Sequence, residues 1–287
     1  MAIDHKTVYD SDHVSRDYGK RDYLEPAEET LITELGPARL TAMDMLDMGV
    51  GGGRTTKYFA PLVRYYVGAD YAPEMLKVCK KRYGGDFNFI ECDARAMEGV
   101  KDNSFDFVLF SFNGMDSFSH KDRIAALKEV RRVLRNDGIF FFSSHNLNWA
   151  GLKDLFTLKN SFKKISDFGG HGLQTPENIN PLRLLKNGKN GTKAAYRVFR
   201  LNLLNRTIDM KSFIDKLKTG GKGNIYDNSL NGKASIYYVT PREQTRQLKE
   251  TGFTDVFTYC RSGIKTDNEE LLNGGGWVYY FCKVNKL

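Results

Sequence analysis

Through the first half of the chain, short apolar runs alternate with longer stretches in which apolar positions recur at helical spacing. Met43–Met48 is a buried strand that feeds a glycine-rich turn, and Arg54–Leu62 starts a helix with Pro61 near its end. "YYVGAD" (Tyr65–Asp70) is a second strand, and Pro73 suits the first turn of a helix carrying Met75, Leu76 and Cys79. "FNFIECD" (Phe87–Asp93) is a third strand. "SFDFVLFSF" (Ser104–Phe112) is a fourth, apolar nearly throughout, as a strand covered on both faces should be. Lys121–Leu134 places Ile124, Leu127, Val130 and Leu134 on one helix face. "RNDG" then ends the helix, and "IFFFSSH" (Ile139–His145) is a fifth strand. Strands alternating with helices predict an α/β fold of right-handed βαβ units around a parallel sheet.

That rhythm stops near Asn146. The next ninety or so residues are rich in Lys, Asn and Gly; "AAYRVFRLNLLN" (Ala194–Asn205) and "ASIYYVT" (Ala234–Thr240) read as strands. The rhythm returns at "TPREQTRQLKETGF", with Thr240 as N-cap, Pro241 at N1, Glu243 at N3 and Gly252 as the stop. "FTDVFTYC" and "GWVYYFCKV" close the chain as an antiparallel pair at the sheet edge. The expected organisation is an N-terminal helical lid segment (1–40), a core (41–148 and 236–287), and an inserted β-rich substrate or lid module (149–235).

Composition narrows this further. The chain has 287 residues with 43 Lys plus Arg against 35 Asp plus Glu, a net charge of +8. Residues 151–235 hold 16 of those basic residues and only 6 of the acidic ones, so the whole positive excess sits in the insertion. Such a segment favours anionic partners. No apolar run approaches the roughly 20 residues that span a bilayer. The polar start carries no signal-peptide core, which predicts a cytoplasmic protein. Cys79, Cys92, Cys260 and Cys282 form neither a CxxC pair nor a zinc spacing, so reduced, buried thiols are expected.

The chemistry concentrates in "LDMGVGGGRTTKYF" (Leu46–Phe59). Gly49, Gly51, Gly52 and Gly53 follow a strand and precede a helix, so a ligand can approach bare backbone outside the carboxyl ends of the strands. A dinucleotide fingerprint counted from Gly49 ends on Arg54, and one counted from Gly51 ends on Thr56; neither fits. Asp47, Gly49, Gly51 and Gly53 instead spell D-x-G-x-G-x-G.

With its companions, this stretch resembles the class I S-adenosylmethionine-dependent methyltransferases. "YYVGADYAPEML", "FIECDARAM", "FDFVLFSFNGMD" and "EVRRVLRNDGIFFFSSHN" stand in that family's order, and Asp70 lies as far from Asp47 as Asp93 lies from Asp70. The resemblance covers roughly Leu46–His145, resumes at Thr240–Val256 and omits the insertion. It implies a Rossmann-like seven-stranded sheet with helices on both faces, S-adenosylmethionine as cofactor and S-adenosylhomocysteine as product. Asp70 would take the ribose hydroxyls, Asp93 beside Ala94 the adenine amino group, and Tyr71 and Met75 would pack against the ring. Asp47 would order the glycine turn by accepting its backbone amides, or reach the ligand's amino group through water. Arg54, Ser111 and Asn113 complete the expected cofactor contacts. From the N-terminal tyrosines, Tyr18 is the one expected near the ligand's carboxylate or sulfonium, with packing against the core as the alternative.

If the acceptor is a hydroxyl, a base must take its proton. His145, at the carboxyl end of strand five, is the first candidate, its alternative being a bond to the neighbouring loop. His120, in "DSFSH", is the second, and equally a helix cap. His171, in "GGHG", is an insertion residue that could touch substrate, its alternative being a plain loop residue. Asp116 lacks companion carboxylates for a magnesium site, so no metal is expected. The expected acceptor is a small molecule (a sugar, a nucleotide-linked intermediate or a secondary metabolite, with an anionic or phosphate-bearing one matching the charge). RNA, as a cap or transfer-RNA guanine, is the alternative, and a non-catalytic nucleotide-binding protein stands behind both. Oligomeric state is left open.

Overall fold

A computed structural model describes residues 19–157, 181–228 and 232–286; for 181–191 and 194 only the backbone is described. The alternation seen in the sequence is present as β1 (Asp44–Met48), β2 (Tyr65–Asp70), β3 (Asn88–Glu91), β4 (Phe105–Phe110) and β5 (Leu134–Asn146). The helices around them are α1 (Pro26–Leu35), α2 (Pro37–Leu40), α3 (Thr56–Phe59), α4 (Pro73–Tyr83) and α5 (His120–Val133). β1 is parallel to both β2 and β4, β2 to β3, and β4 to β5. After β3 the chain returns to the far side of β1, so the order reverses between β1 and β4. A crevice opens outside the carboxyl ends of the strands at such a point.

At the other edge, β9 (Trp277–Val284) runs antiparallel to β5, and β8 (Phe253–Tyr259) antiparallel to β9. The core sheet therefore reads β3-β2-β1-β4-β5-β9-β8, the seven strands expected. Between the insertion and β8 lies α8 (Pro241–Glu250), capped by Thr240, whose hydroxyl accepts the Glu243 N–H at 3.3 Å as its sequence predicts. A short α9 (Glu269–Asn273) precedes β9. "RNDG" does not terminate the preceding helix as a separate turn. It forms the irregular start of β5, with Asp137 at φ 60° and a register shift opposite Phe105/Phe107.

The sheet is covered on both faces, which explains its near-continuous apolar runs. Phe140 and Phe142 pack on one face with Leu127, Val130 and Leu248; Ile139 and Phe141 pack on the other with Leu31 and Cys79. All four cysteines are buried and free.

β5 projects beyond the end of β4. His145 faces Trp277 of β9 on one edge and Tyr238 of β7 (Ile236–Val239) on the other. β7 forms an antiparallel hairpin with β6 (Lys222–Ile225), so this hairpin stands above the carboxyl end of β4. The rest of the described insertion is helical: α6 (Pro181–Leu204) and α7 (Met210–Gly220). Ala194–Asn205, expected as a strand, lies in α6 and its C-terminal turn, so the described insertion is one hairpin with two helices rather than mainly strand. Its buried positions, Leu201 and Asn205, are four apart, a helical spacing that the β-branched and aromatic content of "YRVF" obscures. Leu201, Ile214, Ile225, Ile236 and Tyr238 form a third apolar cluster with Leu147 and Leu152. Among the described residues no helix is long and apolar enough to cross a membrane.

Candidate active site

The glycine turn after β1 depends on backbone that other residues rarely adopt. Gly49, Gly51 and Gly53 have φ of 66°, 55° and 78°. A Cβ on Gly49 would lie 2.6 Å from the Phe110 ring. The turn is pinned from outside: Val50 N donates to Ala69 O at 3.0 Å, the Cys79 thiol to Gly51 O at 3.0 Å, and Tyr83 OH to Gly53 O at 2.6 Å. Asp70, at the tip of β2, accepts the Gly51 N–H and the Ala72 N–H, each at 2.9 Å, on different carboxylate oxygens.

A recess opens here, bordered by Gly49, Gly51, Asp70, Tyr71, Met75 and Ala94 and closed by Phe110 and Phe118. Ser111 also borders it. The structure thus brings together most of the residues expected at the cofactor. Asp93 is not among them. Its carboxylate accepts the Arg95 backbone N–H at 2.9 Å and the Arg95 guanidinium at 2.6 Å, while its neighbours Cys92 and Ala94 border the recess.

Asp47 borders an adjoining recess with Arg54, Thr55, Ser111 and Phe112. Its described partners are the hydroxyls of Thr55 (2.5 Å) and Tyr66 (2.8 Å), not the turn amides that the sequence suggested. Burial pushes its carboxyl up to about 6, against the pull of those hydroxyls. Arg54 makes a bidentate pair with Glu28 of α1, at 2.7 and 2.6 Å, both side chains being buried. Ser111 Oγ bonds the same pair. Burial opposes the Arg54 charge, but Glu28 more than offsets it and the guanidinium is held above its ordinary value. Sequence reasoning missed Glu28. The available signal was the capping box in "EPAEE", where the Glu28 carboxylate also accepts the Glu25 N–H at 2.8 Å.

Beyond β4 the chain turns through two left-handed residues, Phe112 (φ 56°) and Asn113 (φ 60°). Strain of this kind, roughly 1 kcal/mol or more per residue, clusters at functional sites. The Ser143 hydroxyl accepts the Asn113 N–H at 2.8 Å. The Phe112 ring lies under the guanidinium groups of Arg21 (4.8 Å) and Arg54 (5.1 Å) and edge-on to Trp277 (5.0 Å). It therefore stands between the recesses over the glycine turn and a further recess bordered by His145, Trp149, Tyr238, Asp227 and Trp277.

His145 is fixed by Asp116. One carboxylate oxygen accepts both the His145 backbone N–H and the ring Nδ1–H at 2.6 Å; the other accepts Arg123 Nη1 and Ser144 Oγ at 2.7 Å each. Burial works to raise the Asp116 carboxyl, but Arg123, His145 and Ser144 together hold it below its ordinary value. An ionised carboxylate only accepts, so in the neutral ring the proton resides on Nδ1 and Nε2 carries the lone pair. Asp116, weighed from sequence as a metal ligand, is here the anchor of the histidine.

His120 is placed elsewhere. Ser119 caps α5 and His120 is its first residue, with Nδ1 3.0 Å from Tyr237 OH and its ring stacked on that tyrosine. Burial lowers its pKa. Tyr18 and His171 lie outside the described residues.

Comparison with known proteins agrees with this architecture. A family described as "Methyltransferase domain" matches residues 46–142. Over 126 residues the chain is 32% identical to the uncharacterized protein MJ1252 of Methanocaldococcus jannaschii, covering 43% of this chain and 45% of that protein. Over 105 residues it is 31% identical to the uncharacterized methyltransferase YcgJ of Bacillus subtilis, covering 35% and 40%. The matches thus span less than half the length of these relatives. Among solved structures, the 1,6-didemethyltoxoflavin-N1-methyltransferase of Burkholderia thailandensis, with bound 1,6-didemethyltoxoflavin and S-adenosylhomocysteine, superposes with a TM-score of 0.53 at 16% identity. That match covers 100% of this chain and 92% of the other, a likeness of fold.

Proposed function

We propose that the protein, whose residues 46–142 match a methyltransferase domain, moves a methyl group from S-adenosylmethionine to an oxygen or nitrogen of a small-molecule acceptor. The observation that carries this reading is the pairing of a bare glycine turn with the Asp70 carboxylate across one mostly apolar recess. That recess fits a nucleoside: vicinal ribose hydroxyls find the acceptor oxygens of Asp70, and the base finds Tyr71, Met75 and Ala94. Asp93, paired with Arg95, borders a neighbouring recess that shares Tyr71 and Cys92 with the first, and from there it would serve the adenine amino group. The adjoining recess, with Asp47, Thr55, Arg54 and Ser111, is the place for the amino-acid end.

S-adenosylmethionine, when bound, supplies an electrophilic methyl on a sulfonium and leaves as S-adenosylhomocysteine. The chain's own work is alignment and exclusion of water, for which effective molarity is a large lever. Asp116 locks the His145 ring, and Nε2 takes a proton from a hydroxyl acceptor in the Trp149–Trp277 recess. An amine acceptor that arrives deprotonated would not need this base. Isothermal calorimetry with S-adenosylmethionine against NAD is the direct test: binding of the first and not the second is expected. Preference for NAD would overturn the reading.

A further inference from the structure

Among the described residues that border the His145 recess, Arg261 is the one permanent cation. It lies in the loop between β8 and α9, and its guanidinium sits over the Trp277 ring at 4.5 Å. The backbone around it is built to put it there. Cys260 N donates to Ile264 O at 3.0 Å, and Gly263, at φ 86°, packs so closely on the start of α1 that a Cβ would lie 2.7 Å from Pro26 O. On the other side, a Cβ on Gly275 would lie 3.1 Å from Arg261 Cβ, so glycine there leaves the arginine its place. That glycine stretch is itself pinned by the residue after His145: Asn146 N donates to Gly276 O at 2.8 Å, and Asn146 Nδ2 to Leu272 O at 3.0 Å. The candidate base and the cation are therefore referenced to each other through fixed backbone.

The guanidinium is not consumed by the fold. Its described ion pair, Nε to Glu25 Oε2 at 3.9 Å, is longer than a hydrogen bond, and among the described residues it donates none. Trp149, Tyr238 and Trp277 give the recess aromatic walls that suit a flat ring, and a guanidinium fork matches a carboxylate. Asp227 borders the same recess, so a doubly charged phosphate would meet a carboxylate there, and a single negative charge is the better match. We propose that the methyl acceptor is a small aromatic carboxylate, with its carboxylate on Arg261 and its hydroxyl at His145 Nε2. This rests on the methyltransferase reading above and adds the acceptor's class. In the transfer, a bond forms between the hydroxyl oxygen and the methyl carbon as the methyl–sulfur bond breaks. The electron pair of the broken bond stays on sulfur, which becomes a neutral thioether, and the hydroxyl proton passes to His145 Nε2. Arg261 takes no part in these bonds; it selects the acceptor and sets which hydroxyl faces the methyl.

The test uses the full chain and matched probes. Calorimetry with S-adenosylmethionine alone comes first; no binding overturns the methyltransferase reading and this inference with it. With S-adenosylhomocysteine saturating, salicylate and its meta and para isomers are titrated beside the corresponding amides, which keep ring and hydroxyl but carry no charge. At least one acid is expected to bind at least about tenfold more tightly than its amide. That preference should vanish in Arg261→Gln and survive in part in Arg261→Lys, with melting temperature and S-adenosylmethionine affinity as the folding controls. Glu25→Gln should keep it, because Glu25 only flanks the guanidinium. No binding of any acid, or equal binding of acids and amides, overturns the inference. So does a preference that persists in Arg261→Gln, or one that Glu25→Gln abolishes as fully, which would make the arginine a tie to α1 and no more. Tighter binding of phenyl phosphate than of benzoate overturns the carboxylate assignment in favour of phosphate.

Discussion

Asp116 shows how one side chain can set the chemistry of another. Its four described hydrogen bonds hold it ionised, and that ionisation fixes the His145 tautomer. Asp116→Asn keeps the shape but presents an amide that is able to donate to Nδ1. Turnover on a hydroxyl acceptor should fall by about 10²-fold or more, as for loss of a general base, with unchanged S-adenosylmethionine affinity by calorimetry. His145→Ala should match it. Asp70→Ala should do the converse, weakening S-adenosylmethionine binding by more than about tenfold because a charge-assisted contact to the ribose is lost. Asp47 also makes stability depend on pH. Burial raises its carboxyl from 3.8 to about 6, so the folded state binds its proton more tightly than the unfolded state does. Its favourable contribution is full below about pH 4 and is lost as pH rises through about 6, a difference of roughly 3 kcal/mol. Asp47→Asn, which can still accept from Thr55 and Tyr66, should remove that part of the pH dependence. Denaturant titrations of both proteins at pH 4 and pH 7 measure it; parallel pH profiles would contradict the assignment.

Among the elements, the turn between β1 and α3 is the least tolerant of change. Gly49 combines φ 66° with a Cβ position 2.6 Å from Phe110. Gly49→Ala must strain the backbone and displace the ring at once. Since Phe110 borders the Asp70 recess, the expected result is a loss of S-adenosylmethionine affinity larger than the loss of melting temperature would suggest. Affinity equal to that of the wild type would show that the turn does not touch the ligand. α6 illustrates the opposite case, an element whose type the sequence hides. "AAYRVFRLNLLN" has the β-branched and aromatic content of a strand, yet Leu201 and Asn205 are buried one helical turn apart while Tyr196, Phe199 and Leu203 are exposed. Packing against the hairpin, not local propensity, decides it.

At the scale of the whole molecule, the Glu28–Arg54 pair ties α1 to the glycine turn across the layer boundary, and both members are buried. Breaking such a pair leaves an uncompensated charge, at a cost of about 3–5 kcal/mol. Glu28→Gln should lower the unfolding free energy by that order, and Glu28→Gln/Arg54→Met should recover part of it in chemical denaturation. The sheet itself was legible from the chain. Tyr65–Asp70, Phe105–Phe110 and Trp277–Val284 read as largely apolar runs between helical stretches, which is the pattern of a covered parallel sheet. The glycine turn and Asp70 were legible too, because their chemistry is local: a positive-φ turn and a strand-end acid meet within one βαβ unit. Three matters were left to tertiary structure: that Asp93 turns to Arg95, that Asp116, in the turn after β4, holds His145, and that Glu28 reaches Arg54. Each depends on side-chain direction or on partners far apart in sequence, and periodicity fixes which face a residue occupies without fixing whom its charged end meets.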